Sequence, residues 1–149
     1  MGLFKTSKKK DNGPQIDLLE KILQISVQEI RTDRQGSELV LLSHQAENFA
    51  AANKEVRSKT SFEAFINHVH LMEGLTASDL KRLRSVAPVF CRLLAEALHS
   101  RFPDRHFFVY AIAGRGEEFI VRFHQVWEGE TPYAEPSESA SGWVIREEV

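Results

Sequence analysis

The chain carries a single cysteine, Cys91, in 149 residues. That excludes an intramolecular disulfide and any zinc centre built from several thiolates. An excess of charge of one sign is also missing, since 19 Lys and Arg against 21 Asp and Glu leave a formal net charge of -2. No overall field draws such a chain to nucleic acid. No apolar run approaches the ~18 residues of a membrane span, and no signal-peptide core is present. A cytoplasmic setting is therefore expected. The familiar catalytic signatures are absent as well: the sequence contains no GxSxG elbow, P-loop, GxGxxG or HExxH.

What is present is an ordinary globular composition, 42% hydrophobic and 27% charged. A chain of this length buries roughly 68–70% of its unfolded surface when it folds as one unit. The expected organisation is a flexible basic tail over residues 1–13 followed by a single α+β domain over residues 14–149. In that domain three to four N-terminal helices pack on a small antiparallel sheet, built from a hairpin over residues 105–127 and a C-terminal strand.

The hairpin is the clearest signal. Two runs rich in Phe, Val, Ile and Tyr flank Gly114-Arg115-Gly116. A three-residue loop at these positions predicts a register with Phe107, Val109 and Ala111 opposite Phe123, Val121 and Phe119, a wholly apolar face. The other face pairs His106 with His124, Phe108 with Arg122 and Tyr110 with Ile120. A slip of one residue would set Phe107 against Arg122 and turn a strand inside out. In this register His106 and His124 lie off the core, so both are expected to be dispensable for stability.

Upstream, Lys5, Lys8, Lys9 and Lys10 make the tail basic, and Met1-Gly2 with Thr6 fits a myristoylation pattern. Pro14 to about Arg31 reads as a helix, with Ile16, Leu19, Ile22, Leu23 and Ile30 at helical spacing. Asp33–Ser37 is a polar break with Gly36 as its terminator. Glu38–Arg57 supports two readings: a short buried strand over Leu39–Leu42 followed by a helix from Ser43 through Ala46, Phe49 and Ala50, or one helix throughout. The abundant Ala and Glu favour the helix. Thr60-Ser61-Phe62-Glu63 reads as a capping box opening a short helix that carries Phe62, Phe65, Ile66 and Val69. Thr76 with Asp79 opens the longest one, about Ala77 to Arg101, in which Pro88 is expected to cause a kink near Arg84–Ala87 or a break into two helices. Residues 128–142 form a polar loop, and Trp143–Arg146 returns as a third strand beside the hairpin.

Among candidate chemical groups, His68 and His70 point about 200° apart if they lie on a helix, and only on a strand could they share an ion. A helix is expected, so no metal site is assigned. Cys91 sits on the apolar stripe of the long helix and reads as an inert hydrophobe. Glu118, Arg122, His124 and His106 share the less apolar hairpin face, where Glu118, Arg122 and His124 could hold an anion or move a proton. No catalytic residue and no cofactor is assigned. The preferred function is a non-catalytic protein-interaction module of adaptor, chaperone-like or inhibitor type. It binds another protein, or itself as a homodimer, through Phe108, Tyr110, Ile120, Arg122, His106 and His124. The alternatives are a small enzyme or ligand-binding domain using Arg122, His124, His106 and Glu118, and a membrane-associated signalling protein acylated at Gly2. The second hairpin face is expected either to be covered by wrapping helices or to stand open as the interface.

Overall fold

A computed structural model describes residues 13–46 and 58–149, with side chains from Glu20 onward. The lysine-rich tail, the Gly2 pattern and the predicted continuation through Phe49 and Ala50 lie outside the described residues. The elements are α1 (Gly13–Ser26), β1 (Gln28–Thr32), β2 (Glu38–Leu42), α2 (Lys59–Ile66), β3 (His68–Glu73), α3 (Ala77–Arg101), β4 (Phe107–Gly114), β5 (Glu118–Gln125), β6 (Ser137–Ser139) and β7 (Gly142–Glu148). Five strands form an antiparallel sheet in the order β3-β5-β4-β7-β6, and β1 and β2 form a separate hairpin. The class is α+β as expected, but its helices are differently placed: the longest, α3, lies in the middle of the chain and covers one sheet face.

The hairpin faces are as predicted and its register is two residues away. Val109 pairs with Phe123, Ala111 with Val121 and Ala113 with Phe119, while Phe107 meets Gln125 and Tyr110 meets Arg122. The loop is Arg115-Gly116-Glu117, with Gly116 at φ 74° and the Glu117 N–H donating to the Gly114 carbonyl. Gly114 thus belongs to the strand. A shift of two keeps every side chain on its face, because strand side chains alternate with period two. On the inner face Phe107, Val109, Ala111, Phe119, Val121 and Phe123 are buried. They pack on Leu80, Ala87, Cys91, Leu94 and Leu98 of α3.

The helix α3 starts at the predicted capping box: the Asp79 N–H donates to Thr76 Oγ1, and the Thr76 N–H donates to Asp79 Oδ2 at 2.9 Å. The helix runs unbroken through Pro88. The C-terminal strand is also where it was expected, and β7 pairs with β4 from Phe108↔Glu148 to Gly114↔Gly142.

Three helical expectations are corrected. The first helix ends at Ser26, and Gln28–Thr32 is a strand. Gly36, at φ 83°, belongs to a hairpin turn in which Asp33 Oδ1 accepts from the N–H groups of Gln35 and Ser37. Leu39–Leu42 is a strand rather than part of a helix. Its run is continuously apolar because both faces are covered: Leu39 and Leu41 pack with Phe62 and Ile66, whereas Val40 and Leu42 join the main core. The short helix α2 is capped by Ser58, not Thr60, and stops at Ile66, so His68–Glu73 is a strand.

The helix α2 substitutes for a missing strand along the outer edge of β2. The Val40 N–H donates to Glu63 Oε1 at 2.9 Å and the Leu42 N–H to Asn67 Oδ1 at 2.8 Å. The Asn67 Nδ2 donates back to the Val40 carbonyl at 2.7 Å. Side chains four apart on a helix lie on one face, and N–H groups two apart on a strand point to one side. The two spacings match, and the buried strand edge is satisfied.

Candidate functional site

The outer face of the sheet carries three cross-strand rows. The first is His70, Ile120, Ile112, Val144 and Ser137; the second is His68, Arg122, Tyr110 and Arg146; the third is His124, Phe108 and Glu148. Among the described residues no helix wraps round to cover the last two rows. The segment after Trp127 does so instead, as a strap. Its Tyr133 ring lies edge-on to Tyr110 at 6.0 Å, and the Arg122 guanidinium stacks on it at 4.5 Å. Arg146 holds the far side, donating to the Ala134 carbonyl at 3.1 Å and lying over the Phe108 ring.

His124 shows what the strap does. Its Nε2 accepts the Tyr133 N–H at 3.2 Å, with the Tyr110 hydroxyl at 2.9 Å, and its Nδ1 lies 2.7 Å from the Gln125 carbonyl. A backbone N–H can only donate, so Nε2 is unprotonated and Nδ1–H donates to Gln125. The ring is 1% exposed, and burial lowers its pKa because a charged imidazole would be desolvated. His124 is therefore a neutral, fully bonded histidine of the fold. The expectation that it is dispensable for stability is corrected, whereas His106 is exposed ahead of β4.

The remaining sequence-predicted residues divide between the rows. Phe108 and Tyr110 are buried under the strap, while Ile120 and Arg122 stay half-exposed. Glu118 lies six residues before His124 on β5, about 20 Å along the strand, and contacts His70 Nδ1. Glu118 thus stands apart from His124, and the anion or proton site expected of Glu118, Arg122 and His124 is not assembled. His68 and His70 share a face after all, because they lie on a strand, with rings 5.0 Å apart. His68 Nδ1 is taken by the Phe65 carbonyl. Among the described residues no group of three or more His, Cys, Asp or Glu side chains is arranged to hold a metal ion. Cys91 is buried in the core, and burial pushes its thiol up to about 12, far from the thiolate a nucleophile needs.

Sequence reasoning missed Glu63, taken there as a capping residue. It is fully buried and accepts four bonds: Val40 N–H and Gln125 Nε2 on Oε1, Gln125 N–H and Trp127 Nε1 on Oε2, at 2.6–2.9 Å. Burial pushes its carboxyl up to about 7 against the pull of those donors, which favour the anion. With every lone pair occupied and no exposed surface, Glu63 ties β2, α2 and β5 together and does not face a ligand. Nothing in its local sequence marks it, since its donors come from 23 to 64 positions away.

The open part of this face is the first row. Ile112, Ile120 and Val144 are half-buried, and the contacts of Tyr133 and Ala134 in the strap fall on Tyr110, Arg122, His124 and Arg146 instead. Ile112 and Ile120 line a depression of about 550 Å³ together with Gly74 and Glu118. Arg122, two residues after Ile120 on β5, belongs to the neighbouring row, and no carboxylate among the described residues pairs with its guanidinium. Among the described residues no helix is long and apolar enough to cross a membrane. No protein-family model, no curated protein and no solved structure matches this chain.

Proposed function

We propose that this α+β protein is an interaction module that docks a protein partner on the open row of its sheet. One observation carries the reading: the strap closes the histidine end of the outer face and leaves Ile112, Ile120 and Val144 beside the stacked, carboxylate-free Arg122. An arginine stacked on a tyrosine is the kind of anchor enriched at interface centres, and the half-buried aliphatic row beside it supplies apolar surface. Stacking on Tyr133 holds the guanidinium in place, so less ordering entropy is lost when a partner carboxylate meets it. Phe108, Tyr110 and His124 serve this face from beneath, as the support on which Arg122 and Tyr133 rest. The groups with chemical potential elsewhere are engaged: both nitrogens of His124 and both oxygens of Glu63 hold the fold.

The test uses wild type and Ile120→Asp as baits in extract of the native cell. A partner retained by wild type and lost by a variant with an unchanged circular dichroism melt supports the reading. An identical set of retained proteins on both baits overturns it.

A further inference from the structure

The long helix α3 is apolar on two opposite sides. Its inner side, from Leu80 through Ala87, Cys91 and Leu94 to Leu98, is buried against the sheet. On the outer side Val86, Val89 and Leu93 are 57%, 61% and 62% exposed. Single exposed aliphatic residues are ordinary, but these three fall at spacings of three and four on one seam. A helix that is apolar on both sides is one that something covers.

We propose that this seam is a two-fold interface between two copies of this chain, with their α3 helices antiparallel. Arg82 and Glu96 continue the same seam at its two ends, so that it reads Arg82, Val86, Val89, Leu93, Glu96, and all five are exposed. The seam is centred on Val89 and its ends carry opposite charges. An antiparallel two-fold there lays Val86 on Leu93 of the second copy and Val89 on its counterpart. It also sets each Arg82 opposite a Glu96, twice over. A parallel pair would instead oppose Arg82 to Arg82 and Glu96 to Glu96. A surface complementary to itself under a two-fold rotation is the condition for an isologous dimer. The charges select both the occupant and its direction. This surface lies across the sheet from the open row, so the dimer stands independently of the partner proposed above.

Sedimentation velocity on the full chain tests it. Wild type should sediment as twice 17.0 kDa across the micromolar range. Val89→Glu should be monomeric with an unchanged circular dichroism spectrum, because the side chain is exposed on the single chain, and its melt should no longer rise with protein concentration as the wild type's does. Arg82→Glu and Glu96→Arg should each weaken the dimer about tenfold, and the double exchange should restore it. A monomeric wild type overturns the proposal, as does a dimer indifferent to Val89→Glu or a double exchange weaker than either single one. A wild-type monomer that dimerises once residues 1–12 are removed would overturn it too, by showing the chain's own tail on the seam.

Discussion

Glu63 and His124 are both buried, and they tie stability to pH with opposite signs. For Glu63 burial raises the carboxyl from 4.5 to about 7, so the folded state holds the proton more tightly than the unfolded chain. Its contribution is full below 4.5 and is lost as pH rises through about 7, a change of about 3 kcal/mol. For His124 burial lowers the pKa from 6.5, so its contribution is present above 6.5 and is lost as pH falls through the lowered folded value. The two slopes oppose one another in mildly acidic solution. Urea denaturation across that range should show Glu63→Gln gaining stability as pH rises, where wild type is flatter. A wild-type profile as steep as that of the variant would count against the raised Glu63 carboxyl. At a fixed pH of about 7.5, His124→Ala should cost about 2–4 kcal/mol, since it leaves the Tyr133 N–H and the Gln125 carbonyl without their partner and opens a cavity. His106→Ala should stay within about 0.5 kcal/mol.

Among the elements, the joint between α2 and β2 is where backbone bonds depend on side chains. Asn67→Ala strips the Leu42 N–H and the Val40 carbonyl of their partners at a buried edge. A loss of about 2–4 kcal/mol is expected, with amide hydrogen exchange accelerated at Leu42 more than at Val109 in the middle of the sheet. Equal acceleration at both would mean that β2 opens only with the whole molecule. On the inner face Val109→Asp and Val121→Asp should each unfold the protein, because a charge would enter a core with no counter-ion. That face was legible because strand alternation survives a two-residue error in register. The strand at His68–Glu73 was legible in principle too, since His68, Val69, His70 and Leu71 alternate polar and apolar. The helical pattern of Phe62, Phe65 and Ile66 ran straight into it and masked the change of period.

For the molecule as a whole, the two ends of the outer sheet face should respond differently to the same change. Phe108→Asp places a carboxylate under the strap beside His124, and unfolding or a large fall in melting temperature is expected. Ile120→Asp, in the open row, should melt within a few degrees of wild type. If both variants unfolded alike, the strap would not be what separates a covered end from an open one. Tyr133→Ala should lower stability by about 1 kcal/mol and free the Arg122 side chain, visible as faster side-chain motion by NMR.

Local physics is enough to specify much of this protein from its sequence. The capping pair Thr76–Asp79, the apolar stripe of α3, the alternation of β4 and β5 and the returning strand at Trp143 each depend on neighbours within a few residues. Tertiary structure alone decided what long-range partners supply. Leu39–Leu42 is a strand because α1, α2 and the main core cover both its faces and Glu63 with Asn67 bonds its edge, none of which a short apolar run declares. Likewise His124 is a bonded core residue, not a surface one, because a strap with no periodic pattern folds back over it. Short-range spacing sets which way a side chain points; what meets it there is set by chain that is distant in sequence.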